Sequence, residues 1–136
     1  MNDRFKFRVW NKEQNRFHHS FCCDITASGT LVISQGIEGK KYIVDDDNYV
    51  VQQCTGLKDK NGKLIYEGDI IEFTDNVNIN GSKTHIAKVE HREEFNAYMY
   101  HAECMGWYTI NPSQNKLFKV KVIGNIYENK ELLNEI

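Results

Sequence analysis

Proline is scarce in this 136-residue sequence, which has one proline, Pro112, and its nine glycines are no more than an average share. Linkers and low-complexity segments are usually rich in these residues, so the composition argues against both. No apolar stretch is long enough to cross a bilayer, and residues 1–10 carry too much charge for a signal peptide. We therefore expect a protein of the cytoplasm that makes no membrane contact.

Neither sign of charge is in large excess, because 17 basic residues stand against 19 acidic ones. The formal net charge of -2 gives the whole molecule no attraction to nucleic acid or anionic lipid, although it allows a local basic patch. Hydrophobic residues make up 40% of the chain and charged residues 26%, as in ordinary globular domains. Length and composition together favour one domain over residues 1–136.

Alternation of apolar and polar residues is the dominant pattern of the chain. In residues 4–10 three basic side chains alternate with apolar ones, which is the period of a half-buried strand. Other β-type runs lie at residues 16–25, 31–33, 41–44, 49–54, 64–66, 70–73, 86–91, 95–101, 107–110 and 117–123. Many short strands between Gly and Asn turns predict a mainly β fold, either a small barrel or a sandwich.

Three segments interrupt this strand pattern. The polar residues 74–82 predict a mobile loop, and a candidate subdomain boundary lies near residues 74–83. Residues 112–113 read as a second loop. Residues 129–133 begin with Asn129, a good helix cap, and continue with helix formers, so they predict a short C-terminal helix.

Side chains that bind metals are present, but their spacing does not fit a site. Residues 18–23 and residues 101–104 each combine histidine with cysteine. Structural zinc sites use Cys-x-x-Cys knuckles, whereas the adjacent Cys22 and Cys23 would point to opposite faces of a strand. The acidic residues 45–47 lack the glycine and final glutamate of a calcium loop. We expect free thiols, no metal and no cofactor.

Catalytic motifs are also missing from the sequence. There is no glycine-rich phosphate loop, no Gly-x-Ser-x-Gly elbow and no His-Glu-x-x-His. The alternatives are His91 beside Glu93 and Glu94, or a thiol at Cys54 or Cys104 with a distant histidine. None of them has the spacing of a catalytic constellation, so the sequence predicts a protein that is not an enzyme and has no catalytic residues.

The N-terminal strand is a candidate nucleic-acid site. The first sixteen residues hold five basic and two acidic side chains. On a strand, Trp10 would share a face with Lys6 and Arg8, so that base stacking could accompany phosphate contacts. The predicted patch is Arg4, Lys6, Arg8 and Trp10. The alternative is a charged outer face that protects a strand from aggregation.

Aromatic side chains suggest a protein interface. Alternation in residues 95–101 places Phe95, Ala97 and Met99 on one face and Tyr98 and Tyr100 on the other. Burial of both faces would need a partner or a second layer of protein. We expect the rings of Tyr98, Tyr100, Trp107 and Tyr108 to face outward as a candidate interface, unless these rings simply cover the sheet with their hydroxyls in water.

Three ordered blocks of the chain resemble the YopX-like family of phage and prophage proteins. The first block is residues 5–10. The second, and most specific, is Thr55-Gly56-Leu57-Lys58-Asp59-Lys60-Asn61-Gly62 with Ile65-Tyr66-Glu67-Gly68-Asp69-Ile70. The third is Val122-Ile123-Gly124-Asn125-Ile126-Tyr127-Glu128-Asn129 with Leu132-Leu133. Residues 74–114 carry little of the resemblance, and Lys130 stands where family members often have proline.

The resemblance implies a β-rich fold related to small SH3-like barrels, a phage or prophage origin, and self-association as a candidate behaviour. It brings no reaction and no catalytic residues. The turn residues of the blocks have a structural reading, since glycine allows sharp corners and Asp or Asn can cap backbone amides. These residues are Gly56, Asp59, Asn61, Gly62, Gly68, Asp69 and Gly124, the last at a predicted bulge.

The sequence therefore predicts a mainly β protein, a small SH3-like barrel elaborated with extra strands and a short C-terminal helix. We expect it to act without chemistry of its own in the bacterial host cytoplasm. Its predicted action is to bind another macromolecule, a host or phage protein, or to form a homo-oligomer. The alternative is nucleic-acid binding through the basic N-terminal strand.

Overall fold

The computed structural model describes residues 3–19, 22–35, 38–44, 47–75, 81, 83–102 and 106–135. Strand makes up 54% and helix 12%, which confirms the mainly β class; the SH3-like barrel stays a prediction. The chain forms two compact units, the smaller from Phe7–Gln52 and the larger from Met1–Lys6 with Gln53–Ile136. The candidate boundary at residues 74–83 lies inside the larger unit, partly outside the described residues.

The smaller unit is built of short antiparallel strands. They are β1 (Phe7–Asn11), β2 (Arg16–Phe17), β3 (Cys23–Ile25), β4 (Leu31–Gln35), β5 (Lys40–Val44) and the start of β6 (Tyr49–Lys58). β1 lies between β2 and β6, and β4 lies between β3 and β5. Ile33 stands opposite Cys23 on one side and Tyr42 on the other. The core of the smaller unit consists of Val9, Cys23, Leu31 and Ile33.

The first strand is shorter than the alternation predicts. Asp3–Phe5 forms a 3₁₀ turn, in which Lys6 N donates to Asp3 O at 3.0 Å, and β1 begins only at Phe7. Phe5 is 62% exposed because the turn does not keep the alternation of a strand. Trp10 is only 3% exposed, and its ring meets the edge of Phe17 with centroids 4.8 Å apart. The predicted outward face for Trp10 is therefore wrong.

The described residues of the larger unit add seven strands. They are β7 (Leu64–Tyr66), β8 (Asp69–Asp75), β9 (Lys83–Lys88), β10 (Glu90–Arg92), β11 (Ala97–Ala102), β12 (Gly106–Thr109) and β13 (Lys121–Asn125). β7 pairs with β6. β8 lies between β13 and β9, and β11 lies between β10 and β12, with every pairing antiparallel. Each strand therefore places alternate side chains on the core.

One hydrophobic cluster fills the larger unit. Its members come from separate strands and include Ile65, Ile71, Phe73, Tyr100 and Val120. Tyr100 is fully buried, with its ring centroid 4.8 Å from that of Phe73. Met99, on the opposite face of β11, is buried as well. The expected exposure of Tyr100 is therefore wrong, because the chain itself covers both faces of this strand.

Helical structure differs from the expectation at residues 112–117 and agrees with it near the C-terminus. α1 (Pro112–Leu117) occupies the segment predicted as a loop and the start of a strand. Asn111 caps it by accepting a hydrogen bond from Gln114 N at 2.8 Å, and Pro112 opens the first turn, where its missing N–H is not needed. Because α1 extends to Leu117, the strand predicted at residues 117–123 begins only at Lys121. The C-terminal segment Lys130–Glu135 is a 3₁₀ helix.

Removal of the Tyr100 hydroxyl is expected to stabilise the protein. Within the described residues this buried hydroxyl has no hydrogen-bond partner, and a buried unpaired polar group costs about 1–3 kcal/mol. Tyr100→Phe should raise the free energy of unfolding by about 1 kcal/mol in urea denaturation. Tyr100→Ala, the control, should lower it by about 4 kcal/mol because it leaves a cavity. A loss on Tyr100→Phe would mean that the hydroxyl has a partner.

Candidate functional site

Asp59 anchors the turn that follows β6. One carboxylate oxygen, Oδ1, accepts hydrogen bonds from Asn61 N at 2.8 Å and from Lys63 N at 2.9 Å. The other, Oδ2, accepts from Val122 N at 2.9 Å. Asp59 is buried, and bonds of this kind to a charged acceptor are stronger than neutral ones. The carboxylate therefore fixes the turn and ties it to β13.

The end of α1 is attached to the same turn. Lys60 N donates to Val120 O at 2.9 Å, and Val120 N donates to Asn115 O at 3.0 Å. The buried Asn115 side chain reaches Lys58 O through its Nδ2 at 3.5 Å. Two segments that are far apart in sequence, residues 56–60 and residues 112–119, thus become the two walls of one depression.

Four lysines line this depression, which we call the lysine pocket: Lys58, Lys60, Lys116 and Lys119. Its volume is about 520 Å³, and the other lining residues are Gly56, Leu57, Asp59, Pro112 and Asn115. All four lysines are exposed. In the described part of the chain none of their ammonium groups lies within ion-pair distance of a carboxylate.

The electrostatics of the lysine pocket favour an anion. Four ammonium groups against the single carboxylate of Asp59 leave three net positive charges. The Asp59 oxygens already accept three backbone hydrogen bonds, so their capacity is largely used within the fold. The positive charge of Lys58 also acts on a carboxylate that does not line the pocket. The pKa of Asp3 is lowered mainly by the hydrogen bond and charge of Lys6, and Lys58 lowers it further. Phosphate groups are the natural ligands of such a cluster.

The predicted N-terminal patch is divided between the two units. Arg4 and Lys6 belong to the larger unit, Arg8 and Trp10 to the smaller one. The guanidinium of Arg4 lies 5.0 Å from the Phe5 ring centroid, and Lys6 forms an ion pair with Asp3 at 3.0 Å. Arg8 Nε donates to Gln52 Oε1 at 2.7 Å. These cations have partners, and the burial of Trp10 leaves it unsuited to stacking.

The four aromatic residues of the candidate interface have different surroundings. Trp107 is 36% exposed and carries the guanidinium of Arg92 4.3 Å from its ring centroid. Tyr98 and Tyr108 are half-buried and pack against the core of the larger unit. Tyr100 is inside that core. Only Trp107 therefore offers a large outward ring surface, and its role in an interface stays a prediction.

Of the predicted turn glycines, Gly62 and Gly68 lie at turns of the larger unit, whereas Gly56 lies inside β6, where the pairing with β7 shifts register. Gly56, Gly62 and Gly68 have φ of 81°, 81° and 85°, and Asp69 Oδ2 accepts from Tyr66 N at 2.8 Å. A Cβ on Gly56 would lie 2.9 Å from Arg4 Cβ. In this left-handed conformation, and with this close approach, only glycine fits without strain.

The predicted bulge near Gly124 lies in β13. The pairing of β13 with β8 shifts register between Val122 and Gly124. A Cβ on Gly124 would lie 2.6 Å from Asn129 Oδ1, which also accepts from Asn125 N at 3.3 Å. Asn129, predicted as a helix cap, instead holds the end of this strand.

The alternatives for metal binding and nucleophilic catalysis gain no support from the geometry. Among the described residues no three His, Cys, Asp or Glu side chains are grouped so that they could hold a metal ion. Cys22 is half-buried and Cys23 buried, and both are free thiols; burial raises the pKa of Cys23 to about 11. Burial also raises the pKa of the free thiol of Cys54, which keeps it protonated and a poor nucleophile. Cys104 lies outside the described residues.

The lysine pocket was not predicted, although part of its signal is in the sequence. Asn111-Pro112 is a helix start, because asparagine caps well and proline suits the first helical position. The loop predicted at residues 112–113 and the strand predicted at residues 117–123 leave no place for that helix, and so they do not bring the lysines at its end next to the turn.

No described helix is long and apolar enough to cross a membrane.

Comparison with known proteins gives a family and similar solved structures. The family model described as "YopX protein" matches residues 6–134. The crystal structure of protein yopX from Bacillus subtilis is similar at 18% identity and a TM-score of 0.67, covering 97% of this chain and 98% of that one. Protein EF1440 from Enterococcus faecalis is similar at 24% identity and a TM-score of 0.55, covering 94% and 96%. No curated protein matches the chain.

Loss of the Asp59 carboxylate is expected to destabilise the larger unit. Asp59→Ala leaves three backbone N–H groups without their acceptor, and should lower the free energy of unfolding by about 3 kcal/mol in urea denaturation. Asp24→Ala is the matched control, because Asp24 is exposed on β3 and its loss should change stability by less than about 0.5 kcal/mol. Equal effects of the two substitutions would contradict the anchoring role of Asp59.

Proposed function

The chain belongs to the YopX family, and we propose that it is a non-enzymatic protein that binds nucleic acid through the lysine pocket. The observation that carries this proposal is the convergence of Lys58, Lys60, Lys116 and Lys119 on one depression. Because these lysines have no carboxylate partner in the described part of the chain, their charge is free to meet an external anion.

Phosphate contacts by lysine provide affinity without sequence recognition. Each neutralised phosphate releases condensed counterions, so binding weakens steeply as salt concentration rises. The net charge of the chain is -2, so long-range attraction of the whole molecule is absent and binding depends on the local cluster. We therefore expect moderate affinity at low salt and little preference among base sequences.

The lysine pocket is a better supported site than the N-terminal strand. Lys6 is already paired with Asp3, and Arg8 donates to Gln52, so contact with phosphate would cost existing interactions. The burial of Trp10 also removes the stacking surface that made the strand attractive. Charge at the N-terminal strand remains the alternative, and the same binding experiment tests it.

Self-assembly is a second candidate function, supported by exposed apolar side chains on the smaller unit. Ile43 on β5 is 76% exposed, and Tyr42 and Val51 are exposed too. Val51 belongs to β6, but it lines one depression together with Ile43, and neighbouring exposed apolar side chains are typical of association surfaces. A phage or prophage origin, action in the bacterial cytoplasm and a host or phage protein as partner also belong to this proposal, since they rest on the family resemblance and the sequence.

Reversal of charge in the lysine pocket is expected to abolish most nucleic-acid binding. Lys116→Glu/Lys119→Glu should weaken binding of a fluorescein-labelled single strand by about tenfold or more, because two phosphate contacts become repulsive. The slope of log affinity against log salt should become less steep by about 1.4. Fluorescence anisotropy from 20 to 200 mM salt measures both quantities.

Two further variants separate the alternatives in that experiment. Lys40→Glu/Lys41→Glu makes the same change of total charge on β5 of the smaller unit and should leave affinity nearly unchanged. Lys6→Glu/Arg8→Glu tests the N-terminal strand. Equal losses of affinity in the β5 and pocket variants would mean that total charge alone explains the effect, which would contradict a site at the lysine pocket. Absence of binding by the parent protein at 20 mM salt would also contradict the proposal.

Self-assembly predicts a mass that depends on concentration. Multi-angle light scattering at two concentrations should show more than one chain per particle, and Tyr42→Ser/Ile43→Ser should shift the particle toward monomer because it removes exposed apolar area. Phe95→Ser, which removes an exposed ring from the larger unit, is the control. A monomer at the higher concentration would exclude this candidate function.

A further inference from the structure

We propose that the lysine pocket holds the terminal phosphate of a nucleic-acid strand, with Lys119 as a binding residue whose presence strains the fold. This inference rests on the proposed function and names the part of the ligand that the site takes. Its supports are the shape of the pocket, the charge of a phosphate at a chain end and the backbone conformation of Lys119.

The shape of the site favours a chain end. Lys58 and Lys60 stand on one wall and Lys116 and Lys119 on the other, with the hydrogen bond from Lys60 N to Val120 O fixing the walls together. Lysines on the two walls of a depression concentrate positive charge within it, whereas a continuous backbone is followed by a row of cations along a groove. A strand end can enter such a depression without bending the chain behind it.

The size and charge of the site suit a terminal nucleotide. A volume of about 520 Å³ is within the usual range of small-ligand pockets and exceeds what a phosphate alone would fill. Leu57 and Pro112 add apolar surface beside the lysines. A phosphate monoester carries about -1.5 to -2 charges at pH 7, whereas an internal diester carries one. Three net positive charges therefore discriminate in favour of the end.

Lys119 has a backbone conformation that glycine and asparagine adopt more readily than lysine does. Its φ is 52°, in the left-handed region, just after the C-cap residue Phe118 of α1. Helices usually place glycine at this position, since a side chain there is strained. The other described non-glycine residues with positive φ are Asn15 and Asn96, and asparagine tolerates this region. Strain retained at a site-lining residue points to a role outside folding.

The first test compares chain ends on one oligonucleotide. Single strands of the same sequence carry a 5′-phosphate, a 3′-phosphate or hydroxyls at both ends, and a fourth strand is one nucleotide longer with hydroxyl ends, so that its number of phosphate groups matches. One phosphorylated end should bind about tenfold tighter than the hydroxyl strand and clearly tighter than the longer strand. Equal binding of all four strands would overturn this inference and leave the proposed function standing; no binding by any strand would overturn both.

The second test separates folding from binding at Lys119. Lys119→Gly relieves the left-handed strain, so its melting temperature should equal or exceed that of the parent, while its preference for the phosphorylated end should disappear. Lys119→Arg keeps the charge and should keep that preference. A Lys119→Gly variant that still prefers the phosphorylated end would overturn the role of Lys119. If the preference is lost while the melting temperature is intact, misfolding is excluded as the reason for that loss.

Discussion

The carboxylate of Asp59 connects parts of the chain that would otherwise have no reason to meet. It accepts one hydrogen bond from β13 and two from its own turn, and it lies buried between them. The lysine pocket exists only because this contact, together with the bond from Lys60 N to Val120 O, brings the turn against the end of α1. A single buried anion thus organises the surroundings of a cationic surface. The hydrogen-bonding capacity of this carboxylate is largely used by backbone N–H groups, while its negative charge offsets one of the four lysines.

Local charge and total charge point in opposite directions in this protein. The whole chain is slightly acidic, while the lysine pocket is distinctly basic. Net charge is a sum over residues that the fold then distributes, so composition sets an average and the tertiary structure decides the local field. The basic residues that are conspicuous in sequence, Lys6 and Arg8, are partnered in the fold. Those of the lysine pocket come as two pairs, Lys58 with Lys60 and Lys116 with Lys119, which are far apart in sequence and become one feature only after folding.

Much of the fold was predictable because a half-buried strand requires apolar and polar residues to alternate, and this alternation is visible in the sequence. The mainly β class, most strand positions and the corner at residues 59–63 follow from alternation and turn chemistry. Trp10 and Tyr100 show where that reasoning ends, since alternation gives the face of a side chain but not what covers it. The loop predicted at residues 112–113 is wrong, because Asn111 caps α1 and Pro112 opens its first turn. The lysine pocket could not have been predicted from spacing, because tertiary hydrogen bonds create it.

The larger unit is discontinuous in sequence, and the chain leaves and returns to it at neighbouring points. Cys54 N donates to Lys6 O at 2.9 Å, and Gln53 Nε2 donates to the same oxygen at 3.0 Å. Residues 7–52 are therefore arranged as an insertion between adjacent ends, the geometry at which domain insertion and circular permutation succeed. Such an insertion can diverge, lengthen or be exchanged with little effect on the unit that carries it. Evolution could thus vary one part of the protein while the other retains its chemistry.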